Sequence, residues 1–139
     1  MSARAFFFVG AFVAACFGSG CNTFGTNRDD LQQAAALHHI DLRWGRLENA
    51  AQRVSPDLRG AFLTSWASRL HGMEVQDIEV TGMVLNEAGD SADVIVTMTW
   101  VERDTMSVLT TVIPEKWTRV DGTWLASKPA EPPPVPEMR

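Results

Sequence analysis

The spacing of apolar and polar residues follows three different patterns along the chain. Residues 5–15, AFFFVGAFVAA, are apolar almost without interruption. Between residues 29 and 72, apolar positions recur every three or four residues, as on one face of an amphipathic helix. From residue 73 to residue 128 they alternate, as in strands that bury one face. The pattern therefore predicts an apolar leader, then helices, then a sheet.

The helical part begins with a long helix and continues with a short one. The long helix is predicted over residues 29–43, a stretch rich in Ala, Leu and Gln, which favour helices. Its predicted apolar face consists of Leu37, Ile40 and Trp44. The sequence RLENAAQRV at 46–54 predicts the short helix.

A third helix is predicted between Ser55 and Gly72. Ser55 is a favoured N-cap residue, and Pro56 is favoured at the first helical position. A four-residue repeat gives this helix an apolar face, formed by Leu58, Phe62, Trp66 and Leu70. Gly72 is typical of the position that follows a helix.

Four strands are predicted next, over residues 73–86, 92–102, 106–120 and 123–128. The apolar phase of the first strand shifts near Gln76 and Asp77, which predicts a β-bulge. Asp121 and Gly122 are the typical two-residue turn of a hairpin. Pro114 has no N–H, so the third strand is expected to lie at an edge or to bend there. Helices followed by an antiparallel meander predict an α+β fold with the helices on one face of a four-stranded sheet.

The composition and the missing sequence motifs limit the classes of function that this protein can have. The chain has 139 residues, enough for one domain, and a formal net charge of −5. Its basic residues are scattered singly, so nucleic acid is not an expected partner. The sequence contains no Walker loop, no His-Glu-x-x-His helix and no Gly-x-Ser-x-Gly elbow. We therefore expect no metal site and no cofactor, and we assign no catalytic residue.

The leader has the three parts of a secretory signal. Arg4 supplies the positive start, the apolar run supplies the core, and the small residues FGSG precede Cys21. The run is shorter than the roughly 20 residues that span a membrane. The stretch resembles the lipobox of bacterial lipoproteins, in which a small residue precedes a cysteine that is acylated and becomes the mature N-terminus.

Both cysteines of the chain, Cys16 and Cys21, match this pattern. VAAC, which ends at Cys16, is closer to the usual box, whereas GSGC has Gly18 at the aliphatic position. Cys21 gives a signal of ordinary length followed by a polar stretch, so it is the preferred attachment site, with Cys16 as the alternative. A disulfide between the two in an oxidising compartment is a third interpretation.

The resemblance to lipoproteins implies a location. It implies a signal peptide over residues 1–20, a tether over 21–28, and a protein held at the cell envelope by its lipid, because buried acyl chains bind membranes. Asn22 follows the preferred cysteine. Since an acidic residue at this position often retains lipoproteins in the inner membrane, Asn22 implies the outer membrane, facing the periplasm.

Residues 29–128 resemble the NTF2-like (SnoaL-like) superfamily. Two features carry the resemblance: the order of the helices and strands, and the ending EKWTRVDGTWLASK. In this superfamily the closing hairpin often contains a Trp, a turn with Gly and then a second Trp. The resemblance implies a curved sheet in a conical fold with a pocket between sheet and helices. It implies no single function, because this fold hosts enzymes, binders and assembly modules. The proline-rich tail, residues 129–139, is predicted to be extended and unpacked.

The candidate pocket combines helix and hairpin residues. His38 and Asp41 are three positions apart on one helix face, where a carboxylate can orient an imidazole for proton transfer. His38 and His39 point about 100° apart on a helix and are not expected to share a ligand. The possible pocket comprises His38, Asp41, Trp100, Trp117, Arg119 and Trp124. Tryptophans packed in the core, with one half-buried and one solvated histidine, are the alternative interpretation.

The favoured hypothesis is a membrane-anchored envelope lipoprotein whose domain binds a partner or a small ligand without catalysis. The alternative is a pocket enzyme that uses His38 and Asp41 for proton transfer. Because apolar residues occur on both faces of the central strands, the sheet face without helices is expected to bind a second copy or another envelope protein. Ile95 and Leu109 are predicted to contribute to that face.

Overall fold

The computed structural model describes residues 23–137, which form three helices and one sheet. The helices are α1 (Thr23–Arg43), α2 (Leu47–Ala51) and α3 (Arg59–Leu70), with a 3-10 turn at Pro56–Leu58 before α3. The strands are β1 (Met73–Leu85), β2 (Ser91–Glu102), β3 (Ser107–Val120) and β4 (Thr123–Lys128). Cys16, Cys21 and the predicted signal peptide lie outside the described residues.

The strands form one antiparallel sheet in the order β1-β2-β3-β4, and the helices pack against one of its faces. This confirms the predicted α+β architecture. Within residues 23–137, no helix combines the length and the apolar character needed to cross a bilayer.

The details of the sheet follow the predicted turn and bulge positions. A bulge lies between Val75 and Asp77 of β1, as predicted, and a second one between Val80 and Gly82 was not predicted. The pairing of β3 with β4 runs only from Lys116 to the hairpin turn. Pro114 therefore lies where β3 has no β4 partner, which confirms the predicted edge position.

Helix α3 buries the predicted face. Phe62 and Trp66 are buried, and Leu58 and Leu70 at the ends of the repeat are partly buried. Ser55 stands at the predicted N-cap position, but it makes no capping hydrogen bond through its side chain.

Helix α1 buries a different face from the predicted one. Leu37, Ile40 and Trp44 are 42%, 47% and 64% exposed, so the predicted apolar face is wrong. The buried face consists of Leu31, Ala35, His38, His39 and Leu42. Two histidines and a small alanine pack against the sheet, while the larger apolar residues point away from it.

The N-terminal boundary of the domain also differs from the prediction. Helix α1 begins at Thr23, inside the stretch assigned to the tether. Asn27 donates a hydrogen bond to the Gly89 carbonyl at 3.3 Å and accepts one from Arg119 at 2.7 Å. These contacts join the first turns of α1 to the sheet, so residues 23–28 belong to the domain.

The proline-rich tail is packed, contrary to the prediction. Ala130 and Pro133 are buried against α3. The indole Nε1 of Trp66 donates to the Ala130 carbonyl at 2.9 Å, and Nε of Arg69 donates to the Pro133 carbonyl at 2.7 Å. An extended segment exposes its carbonyls, because they make no hydrogen bonds within it, and α3 supplies their donors. Residues 129–137 therefore extend the core.

Candidate functional site

A polar cluster lies buried between α1 and β3. It consists of His38 and His39 on α1 and Glu115 on β3, and we call it the histidine–glutamate cluster. Each of its side chains is at most 4% exposed. Glu115 shares the buried face of β3 with Ile113 and Trp117, since alternate strand residues point to the same side.

His38 has a defined tautomer. Its Nδ1 lies 2.9 Å from the Ala50 carbonyl oxygen, which can only accept, so Nδ1 carries the proton. Its Nε2 is buried and has no hydrogen-bond partner within residues 23–137. Burial lowers the pKa of His38 from 6.5 to about 4, so the ring is neutral at neutral pH and Nε2 holds a free lone pair.

Glu115 binds His39 and Trp117. Nε2 of His39 lies 2.9 and 3.1 Å from the two carboxylate oxygens, and Nε1 of Trp117 donates to Oε2 at 2.9 Å. Burial alone raises the pKa of Glu115, but the hydrogen bond and the charge of His39 outweigh it and hold that pKa below its usual value. Glu115 is therefore a carboxylate at neutral pH.

The predicted pair of His38 and Asp41 does not form. Asp41 accepts hydrogen bonds from Arg46 at 2.8 Å and from Arg53 at 3.1 Å, while His38 binds a backbone carbonyl. The alternative of one half-buried and one solvated histidine is wrong too, because both rings are buried. Sequence reasoning missed Glu115, although its place between Ile113 and Trp117 in the apolar phase of β3 was a usable signal.

The predicted pocket residues do not surround a common cavity. Trp117, Arg119 and Trp124 share one face of the hairpin, as the predicted register requires, but both tryptophans are buried in the core. Trp100 pairs with Leu109, eight positions along β3 from Trp117, and lies 5.0 Å from the guanidinium carbon of Arg69.

A cavity of about 610 Å³ lies elsewhere, between α3 and the tail. Phe62, Ala130 and Pro132 are among its lining residues, and no residue of the histidine–glutamate cluster or of the predicted pocket lines it. The histidine–glutamate cluster is closed to solvent. In this conformation its side chains bind one another or the backbone and do not contact a substrate.

The sheet surface opposite the helices is exposed, and we call it the open face. Val108, Val112 and Val120 are its largest exposed apolar side chains on β3. Ile95 on β2 also lies there, as predicted. Leu109 does not: it pairs with the buried Trp100 and points to the helix side, so its predicted position is wrong.

Charges of opposite sign flank the apolar part of the open face. Glu74, Asp77 and Glu79 form an exposed acidic row on β1. Lys116 and Lys128 pair across β3 and β4 and are also exposed. The open face therefore runs from an acidic edge on β1 across an apolar centre to an end that carries Lys116, Lys128 and Asp93, with Asp93 3.6 Å from Lys116.

Solved structures resemble this fold. A putative dehydratase from the NTF2-like family of Streptomyces avermitilis is 16% identical, with a TM-score of 0.55 over 75% of this chain and 93% of that one. A ketosteroid isomerase-like protein from Erwinia carotovora atroseptica is 12% identical, with a TM-score of 0.56 over 70% and 88%. The chain has an NTF2-like fold. This confirms the fold-level resemblance drawn from residues 29–128.

A third solved structure covers more of the chain. It is a putative Ca/calmodulin-dependent kinase II association domain from Exiguobacterium sibiricum, 14% identical, with a TM-score of 0.57 over 91% of this chain and all of that one. No family model and no curated protein matches the chain. Identities this low show the fold alone, so no activity follows from these solved structures.

The pKa of His38 predicts acid sensitivity. Unfolded His38 takes up a proton near pH 6.5, whereas the folded residue does so only near pH 4. Between these values the unfolded state binds more protons, so stability falls as pH decreases, by up to roughly 3 kcal/mol. Urea unfolding between pH 7 and pH 4 measures this slope.

His71 provides the matched control for this measurement, because it is the one exposed histidine. His38→Gln should flatten the decline of stability between pH 6.5 and pH 4, and His71→Gln should leave it nearly unchanged. An equal slope in wild type and His38→Gln would show that His38 is not held neutral by burial.

Proposed function

We propose that this protein is a lipid-anchored envelope lipoprotein whose NTF2-like domain acts without catalysis, through its open face, by binding a second copy of the same chain. The observation that carries the proposal is the exposed apolar centre of the open face, with Val112 at 64% exposure in the middle of β3. Apolar surfaces of this kind on a sheet mark binding sites for other proteins.

The positions of His38 and Asp41 favour a binding role for the domain over a catalytic one. A general base must lie within hydrogen-bond reach of its substrate, and His38 is fully buried. Asp41 is occupied by Arg46 and Arg53. The geometry therefore gives no support to the alternative of proton transfer by His38 and Asp41.

The charges favour a second copy as the partner. In a symmetric dimer the same surface serves both subunits, so it must be complementary to itself. The acidic row and the two lysines lie at diagonally opposite corners of the open face, so a two-fold axis running diagonally across the sheet would place the acidic β1 row of one copy opposite Lys116 and Lys128 of the other. The apolar centres would then face each other. The name of the Exiguobacterium sibiricum neighbour, an association domain, is consistent with assembly as a role for this fold.

Sedimentation of the full-length protein in density-matched detergent tests the self-association. We expect wild type to form a dimer as concentration rises. Val112→Lys should weaken the dimer at least about tenfold, because it places a charge in an apolar interface. Thr64→Lys, on the exposed side of α3, is the matched control and should associate like wild type. A wild-type monomer at every concentration, or equal association of Val112→Lys, would contradict the proposed interface.

The lipid attachment has a separate test. Cys21→Ala should abolish labelling by a palmitate analogue and release the protein from membranes, whereas Cys16→Ala should label normally. Sucrose-gradient fractionation of labelled cells should place the protein in the outer membrane. Labelling that depends on Cys16 would move the attachment site, and labelling that depends on neither cysteine would remove the lipoprotein proposal.

The position at which α1 begins determines how far from the bilayer a lipid on Cys21 would hold the domain. Helix α1 begins at Thr23, two residues after Cys21. A lipid on Cys21 would therefore hold the folded domain close to the bilayer, with almost no tether, and would concentrate the copies in one plane. Shared orientation at a membrane raises effective concentration and favours a weak dimer.

A further inference from the structure

The geometry points to a metal site in the core: His38, His39 and Glu115 are placed to bind one zinc ion between α1 and β3. One ligand atom of each residue lies within 4.8 Å of the others. Two imidazoles and one carboxylate are a known ligand set of zinc. This site is independent of the open face and of the lipid.

The strongest observation is the free lone pair of His38. Its Nδ1–H donates to the Ala50 carbonyl, and its Nε2 is buried without a hydrogen-bond partner in the described part of the chain. A backbone carbonyl on the distal nitrogen is the usual support of a metal-bound histidine, because it fixes the tautomer and orients the ring. An unpaired buried acceptor is unfavourable, and a metal ion would satisfy it.

His39 and Glu115 complete the ligand set. Nε2 of His39 faces both oxygens of Glu115, and the Trp117 indole holds Oε2 from the other side. For His39 to bind the metal, its Nε2 must carry no proton, so the ring proton must lie on Nδ1, which is buried without a hydrogen-bond partner within residues 23–137. The Nε2 lone pair then binds the metal, and the carboxylate exchanges a hydrogen bond for a metal bond.

The distances and the ligand types favour zinc. Zinc–nitrogen and zinc–oxygen bonds are about 2.0–2.2 Å, so ligand atoms on a tetrahedral zinc lie about 3.3–3.5 Å apart. The three ligand atoms lie within 4.8 Å of one another, so binding a zinc ion would draw them closer by up to about 1.5 Å. Calcium and magnesium prefer oxygen ligands, and two imidazoles do not suit them.

The consequence would be structural. Residues 39 and 115 are 76 positions apart, so a shared metal would join the first helix directly to the third strand. Because every ligand is buried, the ion would stabilise the folded state and would not contact a substrate.

The test uses full-length protein without a histidine tag, purified from zinc-supplemented cells. Elemental analysis should find about one zinc per chain, and a chelator should remove it and lower the melting temperature. X-ray absorption of the zinc-loaded wild type should show two imidazole nitrogens and one carboxylate. This readout needs no variant, so it remains decisive even if the variants fold poorly.

Substitutions assign the ligands. His38→Gln and Glu115→Gln should lower zinc affinity at least about 100-fold, while Trp117→Phe, which removes the supporting hydrogen bond and part of the buried ring, should lower it about 10- to 100-fold. His71→Gln, at the exposed histidine, should bind like wild type. Folded wild type without stoichiometric zinc, zinc that survives His38→Gln at full affinity, or absorption spectra without two imidazoles would each overturn the proposal.

Discussion

Trp66→Ala is expected to unfold the domain or leave it marginally stable. Trp66 is completely buried on α3, and its indole donates to the Ala130 carbonyl of the tail. Truncating a buried tryptophan costs about 3–5 kcal/mol, against a total of about 5–15 kcal/mol for a typical domain. The change also leaves the buried Ala130 carbonyl without its donor, which detaches the tail from α3.

Trp44→Ala is the matched control. Trp44 directly follows the last residue of α1 but is largely exposed, and the guanidinium carbon of Arg43 lies 5.5 Å from the centre of its ring. Its truncation should change stability by no more than about 0.5 kcal/mol. Urea unfolding of the two variants measures the difference, and similar losses for both would show that the buried and exposed helix faces are assigned wrongly.

Glu115→Ala is expected to have the second large effect. The change removes the partner of His39 and of the Trp117 indole inside the core. Each buried polar group left without its hydrogen-bond partner costs about 1–3 kcal/mol, and this change leaves two of them, His39 Nε2 and Trp117 Nε1. Asp93→Ala is the control, since Asp93 and Lys116 form an exposed pair at 3.6 Å whose loss should cost at most about 1 kcal/mol.

A double variant distinguishes the loss of the polar contact between residues 39 and 115 from the loss of packing around them. His39→Leu together with Glu115→Leu removes both partners and fills the space with apolar atoms, so it should be more stable than Glu115→Ala. Unfolding in the presence of a chelator keeps any bound metal out of the comparison. A double variant at least as destabilised as Glu115→Ala would show that packing around the cluster, and not the hydrogen bond between His39 and Glu115, sets the effect.

The sheet could be predicted because its signals are local. Alternation in β2, the Asp121–Gly122 turn and the phase shift at Gln76 each depend on neighbouring residues, and each appears in the structure. A pleated strand sends alternate side chains to opposite faces, so the sequence alone indicates which residues share a side.

The face of α1 could not be predicted in the same way. Leu37, Ile40 and Trp44 have the helical spacing of a core face, but they are exposed. The buried histidines gain their partners from α2 and β3: the Ala50 carbonyl for His38 and Glu115 for His39. A buried polar residue is stable only with such a partner, and a partner 76 positions away leaves no trace in local periodicity.

The packed tail illustrates the same limit. Proline-rich composition predicted an extended segment, and the segment is extended. Whether it packs depends on donors at Trp66 and Arg69, both 64 positions before the carbonyls they bind. Composition therefore predicted the conformation of the tail but not its contacts.

The central claim is that a second copy of the chain covers the open face in the membrane. The most direct measurement is cross-linking in intact membranes with a bis-maleimide, using single cysteines at Val108, Val112 and Val120, with Gln33→Cys on the exposed side of α1 as control. Unsubstituted protein provides the background from the native cysteines. We predict covalent dimers from the open-face cysteines and none above background from Gln33→Cys. Equal yields from Gln33→Cys, or no dimers from any open-face position, would contradict the claim.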